Sequence, residues 1–432
     1  MSRNAIRLFC RICGGVRPPV NVVSESHTRI GSIARLKEGI FMLQAASLFN
    51  QLLQHFPRTE FASLVKKHLA ERAAKGFTCW TQFVAMTFCQ LAHADSLREI
   101  CNGLACAEGK LVHLGISNAP NKSTLSYANQ HRPAALFEDL FYTSLGRFRE
   151  QEGLGARKTK FRFKNKLLSL DSTTISLCLD LFPWAKFRRA KGGVKAHVLL
   201  DHDDYLPSYV LITEAKRSDV RVAQSLDLNP GSIVAVDRGY NDYALFGKWT
   251  DRGVFFVTRL KDNAAYEVVA SAPDPLPHNI RADEIIAFTG AQASQNCPPP
   301  LRRVVVWDEA NQREIVLLTN LLDFGATTIA AIYKDRWEIE LFFKALKQNL
   351  KVKTFVGTSQ NALLIQIWTA LIAILLLKWL HHLSKAHWSF SNLASLLRMN
   401  LFTYRNLSRW LDHPFGTPPE VPLAEQLTLA LG

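Results

Sequence analysis

Tyr333, Arg336, Glu340 and Lys347 are spaced so that, on a helix turning about 100° per residue, they fall within roughly 60° of one another. Lys344 and Lys351 join that stripe. Ile332, Ile339, Phe342, Phe343, Leu346 and Leu350 fall in another sector, the core-facing stripe of an amphipathic helix. One carboxylate among four cations and a phenol can act as a metal ligand beside a clamp for phosphates. A solvated helix face carries the same pattern, and Arg336 with Glu340 is also an ordinary i,i+4 ion pair. The choice turns on whether partner carboxylates lie elsewhere. Trp337, just outside the stripe, can stack on a base or pack against the protein, and packing is the preferred reading.

Two aspartates are the partners. Asp171 interrupts LLSLDSTTISL (Leu167 to Leu177), a β-rich run in which a lone acid is costly to bury unless it is paired or binds a metal. Asp237 follows the apolar run IVAV, at the carboxyl end of an expected strand, where α/β proteins habitually place their sites. If the two strands lie side by side, Asp171, Asp237 and Glu340 form a set of hard oxygen ligands. Their mutual repulsion is relieved by a divalent cation such as Mg²⁺ or Mn²⁺. Two such ions are the recurrent solution for phosphodiester chemistry. Asp201, Asp203 and Asp204 read instead as turn residues, Asp242 as a helix cap, and His197 as structural.

The rest of the chain fits a polyanionic partner. Its 432 residues carry a net charge of +15, an excess that favours nucleic acid through phosphate neutralisation. A generally basic protein is the alternative. The cations cluster at 157–166 and again at Lys186, Arg188, Arg189, Lys191 and Lys195, on either side of the Asp171 strand. Eight scattered cysteines suit a reducing compartment, and the CxxC of Cys10 and Cys13 lacks a second ligand pair for zinc. Ala362 to Leu380 is apolar but interrupted by Gln366, Thr369 and Lys378, so a helix buried in a soluble domain is expected rather than a membrane span.

The expected organisation is a basic leader or upstream frame extension at 1–41, a helical DNA-binding domain at 42–150 and a basic linker at 151–166. A catalytic core then occupies 167–260 and 321–390, split by a β-rich insertion at 261–320, and a helical tail follows at 391–432. Within the first domain, Ser123 and Thr124 are expected to cap a short polar helix carrying Lys122, Asn129, Gln130, His131 and Arg132, a candidate recognition helix.

Tyr333, Arg336, Glu340 and Lys347 match Y-(2)-R-(3)-E-(6)-K without a gap, and the chain thereby resembles DDE transposases of the insertion-sequence-4 type. LLSLDSTTISL, FPWAKFRRAKGGVKAH and IVAVDRGYND resemble that family's two aspartate regions. The resemblance implies an α/β, ribonuclease-H-like catalytic domain with a β-rich insertion, and excision and integration of an insertion sequence. It implies Asp171, Asp237 and Glu340 as catalytic metal ligands for two Mg²⁺ or Mn²⁺ ions. Tyr333, Arg336 and Lys347 would bind DNA, with Trp337, Lys344, Lys351, Arg188, Arg189 and Lys191 as further DNA contacts. The expected partners are terminal inverted repeats and target DNA, held by a homodimer on DNA and not by a membrane, in the cytoplasm of a prokaryote at its nucleoid. A nuclease of the same fold without strand transfer, and a catalytically dead DNA-binding remnant, are the alternatives.

Overall fold

A computed structural model describes residues 46–419 except 73, 75, 108, 152, 156–159, 179, 189–190, 299 and 350–354, and leaves out the side chains of 186–188, 191 and 349. The leader with its CxxC, Arg189 and Lys351 therefore lie outside the described residues. Of Arg188 and Lys191 only the backbone is described.

Apolar and alternating runs form the strands β1 (Leu167–Leu177), β2 (Lys186–Arg188), β3 (Lys191–Asp201), β4 (Leu206–Glu214), β5 (Ile233–Val236), β6 (Phe255–Arg259), β7 (Tyr266–Ser271), β8 (Ile280–Phe288), β9 (Leu301–Asp308) and β10 (Arg313–Thr319). They make one sheet in the order β2-β3-β1-β5-β6-β10-β9-β8-β7, with β4 also paired to β3. β1, β3 and β4 are antiparallel, while β5 runs parallel to β1 and β6 parallel to β5. This is the ribonuclease-H-like order. The strand-rich stretch 261–320 extends the same sheet, because β10 pairs antiparallel with β6.

The period of two along a strand sorts side chains onto the two faces. Leu168, Leu170, Val234 and Val236 pack with Ala223, Leu245, Phe246 and Trp249 from α7 (Asp219–Ser225) and α8 (Tyr243–Asp251). Leu167, Ile233 and Ala235 face the other way, onto Ile329 and Ile332 of α10 (Ala326–Asp335). Ser169, Asp171 and Asp237 share the parity of this second set.

Helices α1 (Leu48–Leu53), α2 (Arg58–Lys67), α3 (Cys79–Ala92), α4 (Leu97–Ala105), α5 (Lys122–His131) and α6 (Ala135–Glu150) precede the sheet, and a short α9 (Ala291–Asn296) lies between β8 and β9. After α10 come α11 (Trp337–Asn349), α12 (Gln360–Leu383), α13 (Phe390–Asn400) and α14 (Leu407–Asp412). Helix α12 is long and apolar enough to cross a membrane, yet 89% of its most apolar window is buried inside the protein. It shares one apolar cluster with α1, α3, α6, α11 and α13. The described residues, 46–419, belong to one compact unit.

The expected recognition helix differs in two respects. Asn121, not Ser123 or Thr124, occupies the N-cap of α5, without a side-chain bond, and the two hydroxyl residues fall inside the helix. Asn129 is buried and accepts from Gln82 Nε2 at 2.8 Å, and Arg132 donates to the Phe77 carbonyl, so both are committed to the interior. Lys122, Gln130 and His131 remain exposed.

Helix α8 meets α9 so closely that a Cβ on Gly247 would lie 1.9 Å from the Asn296 carbonyl oxygen. Gly247→Ala is therefore expected to destabilise the protein by at least about 1–3 kcal/mol through overpacking, measured by urea unfolding. Unchanged stability would contradict this contact.

Candidate active site

The run from Tyr333 to Asn349 is not one helix. Helix α10 ends at Asp335, α11 starts at Trp337, and Arg336 joins them with φ −50° and ψ −29°. An uninterrupted helix turns successive side chains about 100° apart. Asp335 and Arg336 are both buried at this break: Arg336 reaches Asp171 on β1, and Asp335 reaches His202 in the β3–β4 turn. The apolar stripe survives it, since Ile332, Ile339, Phe342, Phe343 and Leu346 are all buried.

The parallel pairing of β1 with β5 sets Leu170 opposite Val236, so Asp171 and Asp237 are the next residues on neighbouring strands. Both belong to the face that α10 covers. Asp171 is 9% exposed. Its Oδ1 accepts the Ser172 N–H at 2.7 Å, and its Oδ2 lies 3.4 Å from Arg336 Nη1. The same Nη1 is 3.6 Å from Glu340 Oε1. Asp237 is half-buried and caps the turn Arg238–Tyr240, accepting the Gly239 N–H at 2.8 Å. The Arg336 guanidinium also stands 5.7 Å from the Tyr333 ring centre.

Electrostatics ties these groups together. Burial pushes the Asp171 carboxyl up to about 7; the Ser172 N–H pulls it back, Asp237 and Glu340 raise it further, and Arg336 opposes them. Burial raises Tyr333 too, against the pull of Arg336 and Arg259.

The donor set suits a hard divalent cation: three carboxylates, one of them desolvated, beside a positive group. Among the described residues, though, no three acid, His or Cys side chains converge closely enough to hold an ion as they stand. Arg336 lies between Asp171 and Glu340, so an ion needs this guanidinium to withdraw. Its buried Nε has no hydrogen-bond partner.

Around this centre, Lys344 is exposed and Lys347 half-buried. Trp337 is 59% exposed, which overturns its reading as a packing residue: as the first residue of α11 it falls outside the apolar stripe. Asp242 caps α8, accepting from Leu245 N at 2.8 Å. Asp201 ends β3 instead of lying in the expected turn, and Asp204 sits in the β3–β4 turn; both are buried on Arg149, at 3.2 and 2.6 Å. His197 is buried between Thr213 and Asp219. Asp335 and His202 were not anticipated, although Asp335 falls on the apolar side of the helical wheel, where a charged residue signals a buried partner.

A profile described as a transposase DDE domain matches residues 162–376, and one described as a domain of unknown function (DUF4372) matches residues 44–117. The chain is 31% identical over 313 residues to a protein of Sinorhizobium fredii named as transposase y4zB, covering 70% of this chain and 83% of that one. It is 33% identical over 231 residues to a Geobacillus stearothermophilus protein named as a transposase for insertion sequence element IS5377, covering 53% of this chain and 60% of that one. A piggyBac transposase synaptic complex with hairpin DNA superposes with a TM-score of 0.40 and 11% identity, over 83% of this chain and 80% of that one. The aspartate strands and the glutamate helix lie inside the matched stretch, and the chain belongs to the DDE transposases, enzymes that cleave DNA and transfer its strands.

Proposed function

We propose that this chain is a transposase of the insertion-sequence-4 type in which Asp171, Asp237 and Glu340 are the catalytic carboxylates and hold two Mg²⁺ or Mn²⁺ ions. DDE transposases as a family use divalent metal ions and act on DNA. The observation that carries the residue assignment is the meeting of an aspartate from β1 and the α11 glutamate at one guanidinium, with Asp237 at the end of the neighbouring strand β5.

Bound ions would activate the attacking oxygen and stabilise the leaving oxygen, first in cleavage of an element end and then in joining its 3′-hydroxyl to target DNA. The chain's own residues do the rest. Asp171 would hold an ion as the ionised carboxylate, its proton lost to solvent, with the Ser172 N–H keeping its Oδ1 in place. Arg336, released from the two acids, neutralises phosphate together with Lys344 and Lys347, and the Tyr333 hydroxyl donates a hydrogen bond to that phosphate. The exposed indole of Trp337 offers a stacking surface for an unpaired base. Two element ends must be handled together, which favours a homodimer assembled on DNA, in the cytoplasm of a prokaryote at its nucleoid.

Glu340→Gln is expected to slow cleavage of an end-bearing duplex by at least about 10²-fold, as loss of metal-centred stabilisation requires. DNA affinity, dominated by phosphate contacts, should stay nearly unchanged. Equal loss of cleavage and binding would sink the assignment.

A second test uses pH. The folded pKa of Asp171 lies above its unfolded value, so the folded state retains a proton that the unfolded chain releases between about pH 4 and about 7, and this group's contribution to stability falls as pH rises through that window. In metal-free buffer, the stability of the wild type relative to Asp171→Asn should therefore drop by at most about 3 kcal/mol between pH 4.5 and 7.5, read from urea unfolding. A difference that is flat, or that grows with pH, would contradict a desolvated Asp171.

A further inference from the structure

Ser169, His202 and Asp335 form a hydrogen-bonded chain that the proposed DNA chemistry does not use. Ser169 Oγ lies 2.7 Å from His202 Nε2, and His202 Nδ1 lies 2.6 Å from Asp335 Oδ2. The Tyr205 hydroxyl donates to the same Oδ2 at 3.3 Å, and Lys160 binds Oδ1. Residue types and distances are those of a serine-hydrolase triad. Ser169 is 0% exposed, however, so its hydroxyl can meet no substrate and a hydrolase reading fails.

What remains is a strut beside the proposed metal site. Ser169 and Asp171 are two residues apart on β1 and project from the same face. Asp335 and Arg336 are adjacent at the joint between α10 and α11. Two ties therefore run side by side from strand to joint: Ser169 through His202 to Asp335, and Asp171 directly to Arg336 at 3.4 Å. The first is short, buried and reinforced by Lys160. Burial alone would raise the Asp335 carboxyl, yet hydrogen bonds from His202 and Lys160 hold it below the ordinary carboxylate range. The second tie is long and, on the reading above, has to open when ions enter. A site in which one tie must release needs another that does not.

We propose that His202 and Asp335 are positioning residues: through their bond they fix where the joint between α10 and α11 meets β1, and so where Glu340 stands relative to Asp171 and Asp237. This rests on the reading of those three acids as ion-holding carboxylates.

The test uses the full-length chain with His202→Gln and Asp335→Asn, following thermal unfolding, Mn²⁺ affinity by calorimetry, and kcat and KM on an end-bearing duplex. Positioning predicts Mn²⁺ binding about 10–100-fold weaker, as for lost outer-shell partners of metal ligands, with kcat falling similarly, KM unchanged and the variants still folded. Wild-type Mn²⁺ affinity in folded variants overturns the proposal, as does an activity loss that only tracks the unfolded fraction. Should either variant fail to fold, Ser169→Ala, which removes one hydroxyl from the same chain, must still weaken Mn²⁺ binding by about threefold or more; wild-type affinity there overturns the proposal equally. Asp171→Asn separates the two readings. If it loses Mn²⁺ while His202→Gln does not, only the strut fails; if it binds Mn²⁺ as the wild type does, the metal-site reading fails first.

Discussion

A carboxylate set into a buried central strand has to be compensated, and the architecture around Asp171 is organised by that requirement. Little of its side chain meets solvent, and its stabilising partners are one backbone N–H and one guanidinium. The guanidinium comes from Arg336, at the break between α10 and α11. That break is secured in turn by Asp335, which is held by a histidine and a lysine. Even with these partners the acid stays hard to ionise, which is the condition under which a divalent ion binds with advantage.

The larger fold supplies a rigid frame for this small arrangement. Parallel pairing of β1 with β5 fixes the two aspartates against each other without any side-chain contact. The strand period directs them to the face that α10 covers, while α7 and α8 seal the opposite face. Helix α11 is anchored by Ile339, Phe342, Phe343 and Leu346 in an apolar cluster that also takes in α12 and the N-terminal helices. A change in the helical shell is thereby coupled to where Glu340 stands.

Much of this is legible in the sequence, and the parts that are not fail for identifiable reasons. β1 and β5 announce themselves by composition, and an acid at the end of an apolar run locates Asp237. Glu340 follows from its cationic company. The break at Arg336 is not legible, because nothing local disfavours helix there. The pairing of β10 with β6 is a contact between residues about sixty apart, and no local pattern encodes it. Asn129 and Arg132 look like surface residues of a recognition helix, but the buried Gln82 on α3 and the Phe77 carbonyl capture them.

The central claim is that Arg336 holds the place a divalent ion takes between Asp171, Asp237 and Glu340. Anomalous scattering from crystals grown with Mn²⁺ addresses it most directly. The account predicts manganese bonded to Asp171 and Asp237, with the Arg336 guanidinium withdrawn from Asp171. Manganese bound elsewhere, or Arg336 still bridging Asp171 and Glu340 at saturating Mn²⁺, would contradict it.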